Sequence, residues 1–389
     1  MKDIQFLLER FHCHFVGNDN SPKVFFAPGR INLIGEHTDY NGGFVMPLAF
    51  QLGTYIVTAP SANKCFRFYS ENFKSHYEHP YGLETSKGKA DWFKYPMGVV
   101  DRFVRHSGWP DCGWDLYFFG DLPLSAGLSS SASIEMVTAV AMDFIFQSTY
   151  PMIELVKIAK EAENEFVGLQ CGILDMFASG MGRKGHCLLI DCNSMEFSTI
   201  PFKTGDYRLI IMNTNKRRGL ADSKYNERVK ECEQALADLR QEVDIDFLCA
   251  LSYSDFQKYG AAINNPMHYK RARHVISENQ RTQDAAQALI ANDIRRFGKL
   301  MVESHKSLHS DYEVTGLELD TLVEASMEAE GVMGARMTGA GFGGCAIALV
   351  HRNHISKFQH HVEKVYLQKT GLKVEFYDAY AVNGACRIL

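Results

Sequence analysis

The segment from Ala27 to Gly43 is dense in hydrogen-bonding side chains. They are Arg30, Asn32, Glu36, His37, Asp39 and Asn41. Because each polar contact rejects analogues that lack its partner, such a set suits a ligand with many hydroxyl groups. Apolar residues are interleaved at Ile31, Leu33 and Ile34, so part of the segment should be buried, where polar groups need partners. The segment therefore predicts a sugar-type binding loop rather than a solvated one.

A second segment, residues 124–133, reads Leu-Ser-Ala-Gly-Leu-Ser-Ser-Ser-Ala-Ser and precedes a long apolar helix pattern. Small residues let backbone N–H groups approach an anion, and the N-terminus of the following helix adds a favourable dipole. Serine hydroxyls supply further donors and a ligand for Mg²⁺. A helix cap needs one serine, not four within five positions. The segment predicts a phosphate-binding loop.

A third segment, Met337 to Cys345, is rich in glycine. Gly339, Gly341 and Gly344 satisfy the G-x-G-x-x-G spacing of dinucleotide-binding loops. That fingerprint follows a strand and opens a helix. Here the loop runs directly into Cys-Ala-Ile-Ala-Leu-Val, which predicts a strand, so the dinucleotide interpretation is rejected. Glycines before a strand still allow the backbone to lie close to a ligand.

Two carboxylates stand out among apolar neighbours. Glu163 lies at the border of a helical apolar stripe that includes Ala159 and Phe166, where an acid is either at the core edge or functional. Asp175 is bracketed by apolar residues and is costly to bury unless it is paired. Arg30 is a natural partner, although the sequence alone leaves that contact open. Neither a Walker phosphate loop nor a protein-kinase catalytic loop is present.

These segments lie between the predicted elements of an α+β chain. In the first half the predicted strands and helices are Lys23–Ala27, Thr54–Ala59, Cys65–Ser70, Trp114–Gly120, 131–146, Ile153–Phe166 and His186–Asp191. The second half is richer in helices, with Tyr207–Asn213, Ser223–Val243, Met267–Asn279, Thr282–Ala291, Arg295–His305, Leu317–Ala329, Cys345–Val350, Ile355–Gln368 and Lys373–Tyr380. We place a boundary near residue 205, which gives domains 1–205 and 206–389.

Composition limits the class of protein. The chain has 389 residues, a net charge of −5 and a pI near 6.3, which argues against a general nucleic-acid binder. Its apolar stretches fall short of the ~18 residues that span a bilayer, and Met1 is not followed by a signal-peptide pattern. The cysteines form no C-x-x-C pair, so free thiols are expected. The sequence predicts a cytoplasmic protein with no membrane or nucleic-acid partner.

Taken in this order, the three segments resemble the GHMP kinase superfamily. The stretch from Gly29 to Gly43 is similar, nearly letter for letter, to the signature of the galactokinase family within it. Further agreement covers Asn213–Asn215, Ser223–Arg228, Arg271–Val275, Ser304–Leu308 and Asp311–Thr315. The resemblance implies a two-domain α+β fold: an N-terminal mixed α/β domain like ribosomal protein S5, a C-terminal ferredoxin-like domain, and an active site between them.

The resemblance also implies an activity and site residues. The activity would be ATP-dependent phosphorylation of galactose at the C1 hydroxyl, giving galactose 1-phosphate and ADP at the entry to galactose catabolism. Asp175 would be the catalytic carboxylate with Arg30 beside it; the sugar would be held by Glu36, His37, Asp39, Gly172 and Tyr225. ATP would contact Gly127, Leu128, Ser129, Ser130, Ser131, Ala132, Ser133, Gly339 and Gly341. Ser131 and Glu163 would hold Mg²⁺, and a monomer is expected.

One position departs from the family pattern, and two alternatives stay open. Met176 stands where the family usually has Gln after the catalytic Asp, and a thioether cannot replace an amide's hydrogen bonds. The substrate could therefore be a related sugar such as N-acetylgalactosamine or arabinose. The other alternative is a non-catalytic galactose sensor. Sensors in the family lack part of the serine loop, whereas Ser129–Ser133 is complete here.

Overall fold

The computed structural model describes residues 3–83, 91–123, 127–169, 172–216 and 221–389. Its helices are α1 (Ile4–His14), α2 (Lys94–Ser107), α3 (Ser130–Phe146), α4 (Met152–Glu161), α5 (Leu174–Met181), α6 (Ala221–Leu239), α7 (Tyr253–Tyr259), α8 (Pro266–Ile290), α9 (Ile294–Ser307), α10 (Gly316–Glu328) and α11 (Ile355–Thr370). Across these ranges, no helix combines the length and apolar character needed to cross a membrane. Residues 124–126, the start of the predicted phosphate loop, and Cys171 lie outside the described residues.

The strands form a mixed sheet and two antiparallel ones. They are β1 (Lys23–Asn32), β2 (Phe44–Val45), β3 (Pro47–Ser61), β4 (Cys65–Ser70), β5 (Ser75–Pro80), β6 (Gly113–Gly120), β7 (His186–Asp191), β8 (Phe197–Pro201), β9 (Tyr207–Asn213), β10 (Val332–Thr338), β11 (Cys345–His351), β12 (Glu375–Ala379) and β13 (Cys386–Arg387). The first sheet has the order β13-β1-β3-β6-β4-β5, in which β4 and β6 are parallel. The second is β10-β11-β9-β12 and the third is β2-β7-β8.

Buried apolar clusters join the sheets to their helices and to each other. One cluster packs α2 to α5 on the first sheet, and another packs α6, α8, α10 and α11 on the second. A third contains Ile31, Leu33 and Ile34 together with Ile211 and Ile347 of the second sheet. The polar segment predicted to bind a sugar is therefore anchored by its interleaved apolar residues between the first and second sheets. The predicted burial of Ile31, Leu33 and Ile34 is confirmed.

Most predicted elements are confirmed, with physical reasons for the differences. β1 continues past Pro28 through a bulge and pairs again from Arg30 to Asn32. The two helices predicted over 267–291 are one helix, α8. The sequence suggested a break because the polar residues Asn279 and Thr282 interrupt the apolar stripe, but both are buried. Asn279 accepts the N–H of Phe44, and the Thr282 hydroxyl donates to the carbonyl of Glu278 one turn earlier in α8. The predicted helix over 153–166 becomes a π-helix at Ala162–Val167. The elements that were not predicted are α1, α2, α5, α7, β2, β5, β8, β10 and β13.

The third segment is the turn of a β-hairpin. β10 and β11 pair in antiparallel register from Thr338 and Cys345 outward, so the glycine-rich loop both follows and precedes a strand. The rejection of a dinucleotide-binding loop is consistent with this geometry, since no helix opens after the glycines. The predicted boundary near residue 205 falls between β8 and β9 and stays a prediction. No disulfide bond links the cysteines of the described ranges.

Candidate active site

Arg30 and Asp175 form a bidentate ion pair, although they are 145 positions apart in the chain. Arg30 Nε donates to Asp175 Oδ1 at 2.8 Å and Nη2 donates to Oδ2 at 3.0 Å. The third arm, Nη1, donates to the carbonyl oxygen of Gly127 at 2.8 Å. The contact that the sequence left open is therefore present, and it ties β1, the serine-rich loop and α5 together.

The local backbone explains how these elements meet. The bulge in β1 turns Arg30 toward the serine-rich loop, and the Arg30 N–H donates to the carbonyl of Leu128 at 3.2 Å. Gly29 allows this approach, because a Cβ at that position would lie only 2.7 Å from the same carbonyl oxygen. Asp175 lies in the first turn of α5, where the helix dipole stabilises a negative charge.

Ser129 completes the environment of Asp175. It precedes α3 with a φ of 59°, a left-handed conformation that is uncommon for a residue with a side chain. Its hydroxyl makes no capping bond to α3 and instead donates to Asp175 Oδ2. The carboxylate thus accepts three side-chain hydrogen bonds, which fix its orientation.

A cavity of about 360 Å³ opens around this ion pair. It is lined by Arg30, Asn32, Gly35, Glu36, His37, Asp39, Gly127, Ser129, Ser130, Ser131, Gly172, Leu174, Asp175, Tyr225, Gly339 and Ala340. All of the residues predicted to hold a sugar are among them, as are Gly127, Gly339 and three serines of the predicted nucleotide set. The three chemistry-bearing loops therefore converge on one space with the ion pair.

The remaining residues predicted to contact ATP face away from this cavity. Leu128 and Ala132 are buried in apolar clusters. The Ser133 hydroxyl donates to the carbonyl of Ala27 at 2.8 Å. Gly341 packs against the backbone of Val314, where a Cβ would lie 2.4 Å from the carbonyl oxygen. Any contact of these four residues with a nucleotide would have to come from the backbone, and their assignment stays a prediction.

The polar lining has strongly perturbed ionisation. Burial lowers the pKa of His37 to about 3, so its imidazole is neutral, and its Nδ1 lies 2.9 Å from the hydroxyl of Tyr40. Burial, with a smaller contribution from the charge of Asp175, raises the pKa of Asp39 to about 6. Gly172 lies against this carboxylate, since a Cβ there would be 3.2 Å from Asp39 Oδ2. The cavity presents acceptors at fixed positions, as a hydroxyl-rich ligand requires.

A second cavity of about 540 Å³ lies on the other side of the serine-rich loop. It shares Ser130 and Ser131 with the first cavity and is otherwise lined largely by apolar and aromatic groups, among them Trp92, Tyr95 and Phe118. Sequence reasoning missed it, because its lining comes from many separate strands, helices and turns with no common motif. The N-terminus of α3 therefore lies between a polar cavity and an aromatic one.

Two buried acidic side chains, Glu135 and Glu163, lie close enough to interact electrostatically. Glu163 is 5% exposed, and Glu135 on α3 is fully buried, with neither carboxylate oxygen hydrogen-bonded within the described part of the chain. Burial, together with the charges of Glu163 and Asp175, raises the pKa of Glu135 well above its ordinary range. Across the described ranges, no three His, Cys, Asp or Glu side chains converge closely enough to hold a metal on their own. A cation here would need ligands from a bound phosphate as well.

Comparison with known proteins decides the family. Residues 9–60 match the model of the galactokinase galactose-binding signature, 94–183 match the GHMP kinase N-terminal domain, and 285–368 match the GHMP kinase C-terminal domain. A galactokinase of Enterococcus faecalis is 47% identical over 386 residues, which covers 99% of both chains. The chain belongs to the galactokinase family. It is therefore a kinase, and ATP is the phosphoryl donor that this family uses.

Solved structures agree with the galactokinase family assignment. A galactokinase of Lactococcus lactis, crystallised with galactose, superposes with a TM-score of 0.92 at 40% identity and covers 99% of this chain and 100% of its own. The mevalonate kinase of Methanococcus jannaschii, at 19% identity, covers 94% of this chain and 100% of its own with a TM-score of 0.70, which shows a common fold. The predicted two-domain GHMP kinase fold is confirmed.

Proposed function

We propose that this member of the galactokinase family transfers the γ-phosphoryl group of ATP to the C1 hydroxyl of galactose. The observation that carries the proposal is the Arg30–Asp175 ion pair inside a cavity whose other walls are the galactose signature and the glycine-rich hairpin. The Lactococcus lactis galactokinase, with galactose bound, supports the choice of sugar.

In this proposal galactose occupies the polar cavity. Its hydroxyls bond to Glu36, His37, Asp39 and Tyr225, while Gly172 leaves room for the ring. The C1 hydroxyl faces Asp175. As the bond between O1 and the γ-phosphorus forms and the bond from that phosphorus to ADP breaks, the proton of O1 passes to Asp175. Arg30 keeps the carboxylate oriented for that transfer.

The aromatic cavity is the proposed site of the adenine base. Flat apolar surfaces such as Trp92 and Tyr95 suit a purine, and the cavity adjoins Ser130 and Ser131 at the N-terminus of α3. The triphosphate would then run from the aromatic cavity to the polar one past this helix end, whose N–H groups and dipole favour anions. This path directs the γ-phosphate toward Asp175.

The residues present fit a magnesium ion. Glu135 and Glu163 are buried acids within electrostatic range of each other, an arrangement that a divalent cation would stabilise. We propose that Ser131 and Glu163 hold Mg²⁺, with the nucleotide phosphates as further ligands. When bound, the ion neutralises charge on the triphosphate. The protein is proposed to act as a monomer.

A panel of sugars tests the proposal. In a coupled assay of ADP release, galactose should support turnover with Mg·ATP, whereas N-acetylgalactosamine and arabinose should give much lower kcat/KM. Turnover with one of those two sugars and not with galactose would identify that sugar as the substrate and contradict the proposal. Tight galactose binding by calorimetry without any ADP release would instead identify a sensor.

The acid limb of the pH profile should belong to Asp39. Because the pKa of Asp39 is about 6, its carboxylate is ionised and can accept hydrogen bonds from the sugar above that pH. Below that pH the carboxylate becomes protonated and loses this capacity. We expect kcat/KM for galactose to fall about tenfold per pH unit below the pKa. His37, with a pKa of about 3, stays neutral and cannot cause this limb. Profiles of the wild type and Asp39→Asn check the prediction; an unchanged limb in the variant would contradict it.

Glu163→Ala should raise the Mg²⁺ concentration needed for half-maximal ATP binding and turnover by about tenfold or more. Glu165→Ala is a matched control, because Glu165 lies on the same π-helix but is 64% exposed and pairs with Arg102. Magnesium titrations of nucleotide binding and of activity measure both. If the two variants require the same Mg²⁺ concentration, Glu163 is not a ligand of the proposed metal site.

A further inference from the structure

Arg336 on β10 is a fully buried arginine whose guanidinium contacts the galactose signature segment. Its Nη1 donates to the carbonyl of Leu33 at 3.1 Å and to that of Asn32 at 3.4 Å. Its Nη2 forms an ion pair with the carboxylate of Glu36. Burying a guanidinium is costly, and the two carbonyls and the Glu36 charge offset part of that cost. Arg336 Nε has no hydrogen-bond partner in the described part of the chain.

Glu36 is held at both oxygens. Oε2 faces Arg336, and Oε1 accepts the backbone N–H of Gly339 at 3.0 Å. Arg336 and Gly339 are three positions apart at the end of β10, so one strand end fixes both oxygens of one carboxylate. Glu36 lines the polar cavity while being only 2% exposed. Its orientation toward a bound sugar is therefore set from the C-terminal half of the chain.

A second buried acid continues this network into α8. Glu278 Oε1 lies 3.8 Å from Arg336 Nη2 and accepts the N–H of Gly35 at 3.1 Å. Its Oε2 accepts Arg281 Nε at 2.8 Å. The charges alternate from Glu36 through Arg336 and Glu278 to Arg281, so the cluster is neutral as a whole. β10 and α8 together hold residues 32 to 36 in place.

We propose that Arg336 is a positioning residue for galactose recognition: it orients Glu36 and couples the sugar cavity to the glycine-rich hairpin. Nothing in the sequence pattern pointed to it, because a lone arginine inside a strand is unremarkable until its partners are known. The inference rests on the proposed function only for the identity of the sugar. The planar fork of Arg336, not only its charge, is required, since three separate acceptors are served at once.

Arg336→Met tests the inference. We expect KM and the calorimetric Kd for galactose to rise by about 10- to 100-fold, as for a lost charged hydrogen bond, with kcat at saturating galactose changed by less than about threefold. Arg67→Met is the matched control: it removes an arginine from the remote, buried carboxylate of Asp115 and touches neither Glu36 nor Glu278. Its galactose KM should stay near the wild-type value.

Arg336→Lys covers the case in which the methionine variant does not fold. Lysine keeps the charge but cannot serve all three acceptors, so galactose KM should rise several-fold, less than for methionine. A galactose KM and Kd that match the wild type in every folded Arg336 variant, with only Tm lowered, would overturn the inference. Calorimetric binding of galactose without ATP separates the positioning role of Arg336 from the proposed kinase activity. A wild type that binds galactose but shows no turnover would overturn the proposed function and leave the role of Arg336 in galactose binding open to the same test.

Discussion

Asp175→Asn should lower kcat by about 10²- to 10⁴-fold while galactose still binds. An amide cannot accept the proton of the C1 hydroxyl, and its NH₂ group would face donors from Arg30 and Ser129 that now bond to carboxylate oxygens. Single-turnover ADP formation measures the chemical step, and calorimetry measures galactose binding. Unchanged turnover would contradict the proposed role of Asp175.

Asp115→Asn is the matched control for this experiment. Asp115 on β6, like Asp175, accepts two bonds from one arginine, Arg67, but it is fully buried and lines neither cavity in the described part of the chain. Its loss should lower Tm and leave kcat close to the wild type. A large fall in kcat for Asp115→Asn would mean that general destabilisation, not proton transfer, explains the Asp175 variant.

Arg30→Lys should have the second-largest effect, a fall in kcat of about 10²-fold. A lysine ammonium cannot reproduce the fork that now joins both oxygens of Asp175 and the carbonyl of Gly127. The carboxylate would lose its fixed orientation, and displacement of a catalytic group by about 1 Å can lower the reaction rate by about 10²-fold. Steady-state kinetics at saturating galactose and Mg·ATP measure it.

Two comparisons sharpen the Arg30 prediction. Arg67→Lys removes the equivalent fork from the remote Asp115 pair and should change stability alone. In the double variant Arg30→Lys with Asp175→Asn, the losses should be far from additive, because the two residues act as one unit. Strictly additive losses in the logarithm of kcat would show that Arg30 acts independently of Asp175.

The sequence predicted the local features of this site better than its long-range ones. Each chemistry-bearing loop was visible because its residue types are unusual at that spacing, and the interleaved Ile31, Leu33 and Ile34 indicated burial correctly. The partner of Asp175 could be named from charge alone but not placed, because a contact over 145 positions depends on how α5 packs against the first sheet.

Other features left no readable trace in the sequence. Arg336 and Glu278 are single charged residues within a strand and a helix, and only burial reveals that each needs the other. The aromatic cavity is assembled from side chains with no common period. Glu135 lies inside an apolar helix pattern, where one acid looks like an interruption rather than a member of a site. In each case the information lies in tertiary packing.

The pairing of β13 with β1 bears on how the protein is made. β1 begins at Lys23, while its antiparallel neighbour β13 begins at Cys386, so this edge of the first sheet is covered only after nearly all of the chain has been synthesised. Until then the outer edge of β1 remains open to pairing with other chains. During synthesis, this exposed strand edge is therefore a point at which the N-terminal half could aggregate before β13 is made.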